Sequence, residues 1–188
     1  MDSTALAYWQ KPSHAFTIDY GQKPAPGEIR AAAAVASCLG IQHEVIRCDI
    51  SDLGSGDMAG LSPLDIAPVP EWWPFRNQFL ITVAAMRAVS VGVQRLIVGC
   101  LKTDAQHADG TAAFVSSMAS LLSLQEGSLL LDAPAIELTA SELLQQSGVP
   151  EEILAWSHSC HASEYACGLC RGCRKHYHTL VELGAVPY

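Results

Sequence analysis

Positive charge is scarce in this 188-residue chain: 11 Lys and Arg stand against 19 Asp and Glu, a formal net charge of −8. A protein whose main task is to grip phosphate backbone usually carries the opposite sign, so bulk nucleic-acid binding is excluded as its principal role. Charged residues of both signs make up only 16%, against 49% apolar. That composition belongs to a folded globular chain rather than a disordered one, and the length fits a single domain, 1–188, with a sizeable core. No basic n-region followed by an apolar h-region opens the sequence, so no signal peptide is read. Apolar runs are short and interrupted, so no membrane span is expected. Internal repeats are lacking, and so is low complexity outside one Ala-rich stretch around Ala31–Ala34. The 7 cysteines would suit a disulfide scaffold only in a small secreted chain. Length and the missing signal place the chain in a reducing cytoplasm, where clustered cysteines read as metal ligands.

What is present alternates. Residues 14–20 read as a strand, and 21–27, with two prolines, as a turn-rich loop. A helix is predicted to open at Glu28, whose charge suits a helix N-terminus, and to end at Gly40. Residues 43–49 read as a second strand. The stretch 51–73, rich in glycine and proline, is expected to be a long loop, a length often tied to function. Residues 75–91 predict a helix apolar nearly all round and therefore buried. The run 96–100 predicts a parallel strand buried on both faces. A helix over 114–124, a strand over 129–131 and a short helix over 141–146 follow. Strands alternating with helices predict an α/β fold with an open, mostly parallel sheet flanked by helices.

Four cysteines near the C-terminus carry the clearest chemistry. Cys160, Cys167, Cys170 and Cys173 have the spacing Cys-x6-Cys-x2-Cys-x2-Cys. Each Cys-x2-Cys step lets one tight turn present two thiolates to one ion, and the longer gap lets Cys160 swing in from the preceding loop. Structural Zn2+ with four thiolates is the leading reading, over a segment 156–184. Arg171, Arg174 and Lys175 are placed to offset the surplus negative charge. An iron–sulfur cluster also fits four cysteines, and free or disulfide-bonded thiols are the plainer alternative. His158, His161, His176 and His178 lie close in sequence and are able to replace a ligand, although an exposed histidine is the simpler reading of each.

Several short motifs also arrive in a particular order. Asp19-Tyr20-Gly21-Gln22 is followed by Glu28 and the Ala-rich helix. Pro74-Phe75-Arg76-Asn77 precedes Phe79 and Leu80. Val98-Gly99 leads to Asp104 and His107-Ala108-Asp109-Gly110, then Ala133-Pro134, Leu138-Thr139 and the cysteines. In this order the chain resembles the 7-cyano-7-deazaguanine synthase (QueC-like) family of PP-loop ATP pyrophosphatases, over nearly its whole length. The resemblance implies an adenine nucleotide alpha hydrolase-like, Rossmann-type fold. It also implies ATP, with Mg2+, as cosubstrate, a small deazaguanine as substrate, and a homodimer. The implied activity is a C–N ligase that adenylates 7-carboxy-7-deazaguanine, converts it with ammonia to the amide, and then dehydrates that to the nitrile, a step of queuosine biosynthesis. Carried over residue by residue, Asp2, Ser3, Asp104 and Asp109 become the catalytic candidates. Tyr20, Gln22, Arg76, Asn77, Gly99, Lys102 and His107 become the nucleotide- and substrate-binding candidates. Independently of the family, polar residues after a strand such as 96–100 lie where open parallel sheets bind ligands. An ordinary polar loop after that strand is the plainer reading.

The chain departs from the family pattern in three places. Met1-Asp2-Ser3 matches only the last three residues of the family's Ser-Gly-Gly-x-Asp-Ser loop, so the natural protein is expected to begin upstream. Ala140 stands where the family carries a lysine, and Ala108-Asp109-Gly110 replaces Pro-Asp-Cys or similar. These departures leave two alternatives open. One is a homologue from an anti-phage defence system acting on another acceptor. The other is a catalytically degenerate, zinc-stabilised binding subunit.

Overall fold

The chain begins with helix α1 (Asp2–Gln10), strand β1 (His14–Asp19), helix α2 (Ala25–Leu39), strand β2 (Gln42–Arg47) and a short helix α3 (Gly56–Ala59). It continues through α4 (Arg76–Ser90), β3 (Arg95–Ile97), α5 (Ala112–Ser123) and β4 (Leu130–Asp132), and closes with α6 (Ala140–Ser147), α7 (Glu151–Leu154) and α8 (Arg171–Glu182). These elements come from a computed structural model, which describes residues 1–185. They gather into two compact units: Met1–Pro74 with the chain from Ala140 on, and Phe75–Thr139. All the strands pair in parallel, β1 with β2 in the first unit and β3 with β4 in the second. This is the α/β class, with helices flanking parallel strands.

In the first unit β1 and β2 run in register from His14–Gln42 to Asp19–Arg47. The helix between them packs back on both strands, as a βαβ crossover must. Helix α2 starts at Ala25, three residues before the sequence predicts. Pro24 is its N-cap and Pro26 lies in its first turn, where a missing N–H costs no hydrogen bond. The same prolines read as a loop when only the sequence is considered. Ala5 and Leu6 of α1 and Leu143 and Leu144 of α6 are buried where these two helices pack. Burying one such leucine contributes roughly 2 kcal/mol.

The predicted loop 51–73 has more structure than expected. It holds a 3-10 turn at Ser51–Leu53 and α3, and it inserts Met58 and Trp73 into the core. Trp73 meets Tyr20 edge to face at 5.0 Å.

In the second unit α4 differs from the helix buried all round that its composition predicts. Ile81, Ala84, Ala85 and Ala88 form one buried face, while Met86 and Val89 are exposed. The spacing 81, 84, 85, 88 is that of an amphipathic helix, with apolar residues also occupying its outer side. Strand β3 is likewise covered less than predicted. Leu96 is buried, whereas Ile97 is only half-buried. The ladder ends at Ile97, and Val98 N–H still donates to Asp132 O at 2.9 Å.

Candidate metal centre and substrate site

The cysteines converge. Cys160 is buried, Cys170 and Cys173 are partly buried, and Cys167 is exposed. All four Sγ atoms lie within 4.8 Å of one another, with Cys167–Cys173 at 4.0 Å and Cys160–Cys170 at 3.9 Å. Local geometry builds this cluster. Cys170 is the N-cap of α8 and its sulfur accepts from Cys173 N–H at 3.4 Å, while Cys167 Sγ accepts from Cys170 N–H at 3.4 Å. The sulfur of Cys170 also accepts from His161 N–H at 3.3 Å. Gly172 lets the helix start close in, since a Cβ there would overlap the Ser159 carbonyl oxygen. Backbone N–H groups of Cys170 and Leu169 pull the Cys167 thiol down to about 6. Burial pushes the Cys160 thiol up and the Cys173 thiol up to about 12. Four sulfurs within 4.8 Å of one another are a donor set that fits a metal ion, and a cation at the centre would favour the thiolate form.

The neighbouring histidines do not join the cluster, which among the described residues consists of the four cysteines. His176 departs from the plain reading of an exposed side chain. It is buried, and its ring Nδ1 is 2.9 Å from Ser159 Oγ. Two of the three cations expected beside the thiolates are engaged with carboxylates. Arg171 donates to Glu71 at 2.9 Å and Lys175 to Asp2 at 2.6 Å. Cys170, Arg171, Arg174, Lys175 and His178 border a cleft of about 490 Å³ against Asp57, Pro70 and Glu71.

Other sequence-predicted residues of this unit lie near α1 and at the end of β1. Asp2 opens α1. Its Oδ2 accepts from Lys175, and its Oδ1 is buried without a hydrogen-bond partner. Ser3 is exposed. Tyr20 is buried with its hydroxyl on Met58 Sδ at 3.8 Å. Gln22 is buried too. Its Oε1 accepts from Tyr20 N–H at 2.8 Å, and its Nε2 donates to Ile18 O at 3.2 Å and Glu28 Oε2 at 2.8 Å. The polar ends of Tyr20 and Gln22 therefore brace the turn after β1.

The second unit brings a further group together around the C-terminal end of β3. Gly99 and Cys100 follow the strand, and Lys102 N–H is fixed to Leu138 O at 3.0 Å. Asp104 turns back so that its Oδ2 accepts from Leu101 N–H at 2.9 Å. His107 N–H donates to Asp104 O at 2.9 Å. Asn77, in the first turn of α4, reaches Asp109 twice: its N–H donates to Oδ2 at 3.3 Å and its amide to Asp109 O at 3.1 Å. Arg76 precedes it at the first position of the helix. Gly110 lies so close that a Cβ there would overlap the Asp104 carbonyl oxygen. Cys100 was not foreseen as part of this group. Burial first, then the charges of Asp104 and Asp109, push its thiol up to about 11. Phe75 was likewise not marked as a site residue. It is the N-cap of α4 with φ 56° and ψ 14°, a left-handed conformation that costs a bulky residue on the order of 1–3 kcal/mol.

Residues 1–184 match the family model described as queuosine biosynthesis protein QueC. The 7-cyano-7-deazaguanine synthase of Gloeobacter violaceus is 32% identical over 183 residues, covering 85% of this chain and 77% of the relative. That of Desulforudis audaxviator is 31% identical over 182 residues, covering 85% and 80%. That of Methanosphaerula palustris is 29% identical over 213 aligned positions, covering 100% of this chain and 95% of the relative. Among solved structures, the U34-tRNA thiolase NcsA from Methanococcus maripaludis, with its [4Fe-4S] cluster, shares the fold. It superposes with a TM-score of 0.51 at 15% identity, covering 97% of this chain, which spans 61% of the thiolase's length. The ordered motifs, the four-cysteine cluster and the match over residues 1–184 together make the chain a member of the QueC family.

Proposed function

We propose that the chain is an ATP-dependent C–N ligase of the 7-cyano-7-deazaguanine synthase type. The observation that carries this reading is the family match, which runs through both compact units. In the proposed reaction a carboxylate oxygen of 7-carboxy-7-deazaguanine attacks the α-phosphorus of ATP and pyrophosphate leaves. Ammonia then attacks the acyl carbon and AMP leaves, giving the amide. The amide oxygen then attacks the α-phosphorus of a second ATP and a second pyrophosphate leaves. The C–O bond breaks, AMP departs with that oxygen, and the nitrogen gives up its two protons as the nitrile forms. A carboxylate is a poor electrophile, so converting its oxygen to a leaving group is the central chemical requirement.

The chain's own residues take parts in this scheme. Asp2 and Ser3 of the first unit and Asp104 and Asp109 of the second are each proposed as catalytic groups, the carboxylates suiting the Mg2+ that accompanies ATP. Tyr20 and Gln22 shape the turn after β1. Arg76, Asn77, Gly99, Lys102 and His107 line the nucleotide and substrate. Support comes from the hold of Asn77 on Asp109, which fixes two of these residues together and leaves Asp109 Oδ1 out of the pair.

Zinc is the proposed occupant of the cysteine cluster. A tetrahedron with Zn–S bonds of about 2.3 Å has S···S edges of about 3.8 Å. The 3.9 and 4.0 Å separations lie close to that value. A four-iron cube places an iron atom at each of four corners and holds its cysteines farther apart. The role proposed for the ion is structural, clasping the start of α8 to the loop before it. A homodimer acting in the cytoplasm completes this reading. Among the described residues no helix is long and apolar enough to cross a membrane.

A second reading keeps the adenylation but changes the acceptor, as in a defence-associated homologue. The close approach of Gly110 to Asp104 favours it, because it reshapes the loop where the family carries a side chain. Ala140, buried at the start of α6, also supplies no charge where the family has lysine. Incubation with the carboxylate, ATP, Mg2+ and 15N-ammonia tests the first reading by mass spectrometry. It predicts a nitrile carrying 15N. Transfer of the acyl group to an added amine, with no nitrile formed, would establish the second.

A further inference from the structure

Three residues other than glycine among those described have positive φ: Lys11, Phe75 and Ser128. Lys11 ends α1, and Ser128 follows Gly127 in the turn before β4. Phe75 is different. It is bulky, it sits at a helix N-cap, and the residue is 75% exposed. The left-handed region favours Gly, Asn or Asp, and an N-cap favours Ser, Thr, Asp or Asn. Phe75 satisfies neither preference, gives no capping hydrogen bond and buries little of its ring. The fold therefore bears backbone strain, a missing cap and an exposed aromatic at one position without a packing gain.

We propose that Phe75 is the stacking platform for the heterocyclic base of the substrate, a specificity-determining residue of the site in the second unit. The proposal rests on the deazaguanine reading given above. A planar base offers a π-face and a polar edge, and proteins that read single bases match these with an aromatic ring and with amide, carboxylate or guanidinium groups. Phe75 supplies the ring. Arg76, Asn77 and Asp109 supply the polar groups, with Asn77 and Asp109 already locked together. The backbone beneath the ring is held as well, since Phe79 N–H donates to Phe75 O at 3.0 Å. The ring is thus presented on a fixed support, which lowers the entropy lost on stacking.

The test is calorimetric titration of 7-carboxy-7-deazaguanine into wild-type protein, F75G and F75Y, with thermal melts and sedimentation velocity on each. Glycine relaxes the backbone and removes the ring. The expected result is that F75G binds about ten- to a hundredfold more weakly. Its melting temperature stays at or above that of the wild type, and F75Y restores the affinity. Undiminished binding by F75G overturns the proposal alone. A large drop in melting temperature for F75G overturns it by making the ring structural. A changed association state with unchanged base affinity overturns it in favour of a protein contact. Absence of binding by wild type overturns both this proposal and the substrate reading on which it rests.

Discussion

Asn77 holds Asp109 at two points, its N–H on Oδ2 and its side-chain amide on the carbonyl oxygen, across 32 positions of sequence. The first turn of α4 and the loop after β3 are therefore one unit in the candidate site. Asn77→Ala removes the amide bond but keeps the backbone one. A net hydrogen bond is worth about 1 kcal/mol, so stability should fall by about that amount. Substrate KM should rise more than the small stability loss explains, because Asp109 loses one of its two anchors. Asn77→Asp, which sets a carboxylate against that carbonyl and against Asp109, should be worse on both counts. Denaturant melts and steady-state kinetics read the two effects separately.

Gln22 makes three hydrogen bonds inside the first unit, to Tyr20, Ile18 and Glu28. Gln22→Ala removes all three of these hydrogen bonds, two of them buried and the one to Glu28 part-buried. The expected cost is about 2–3 kcal/mol, read as a lower urea midpoint with an unchanged slope. An unaltered midpoint would show that the turn after β1 does not depend on this brace.

Removing the metal should loosen the C-terminal segment. The cluster ties the loop carrying Cys160 to the start of α8. A chelator, or Cys160→Ala, should expose residues 156–184 to limited proteolysis, and added Zn2+ should reverse the chelator effect. Equal cleavage with and without metal would remove the structural role. Zinc rather than iron should be found by elemental analysis, with no visible charge-transfer absorption.

Acid should destabilise the first unit through its buried histidine. Burial holds His176 at about 4, below the ordinary 6.5, and lowers His158 and His43 in the same direction. Between those two values the unfolded chain binds the proton that folded His176 refuses. Stability from this residue is therefore complete above about pH 6.5 and is lost as pH falls toward 4, by up to about 3 kcal/mol. His176→Gln should flatten the slope of stability against pH over that window.

Local patterns made part of this legible in the sequence. Strands β1 and β2 and the body of α2 showed through hydrophobic periodicity, and the cysteine cluster through its spacing. Helix α8 did not, because Arg171–Glu182 is charged and cysteine-containing, and its start is set by the cluster rather than by propensity. Helix α1 was likewise not foreseen, because Asp2 and Ser3 drew attention as loop residues. Tyr20 and Gln22 entered as binding candidates through the resemblance. Their burial was not legible, because it depends on Met58 and Trp73 packing beside Tyr20 and on the hydrogen bonds Gln22 makes to Tyr20, Ile18 and Glu28. The strain at Phe75 is a backbone angle, invisible to residue type.

The central claim is tested most directly by pyrophosphate release, assayed with 7-carboxy-7-deazaguanine, ATP and Mg2+, on the 188-residue chain and on a form with Ser-Gly-Gly added ahead of Met1. The account predicts pyrophosphate only when the carboxylate is present, two per nitrile formed, with Asp109→Asn reducing it strongly. Release independent of the carboxylate, or none from either form of the protein, would contradict it.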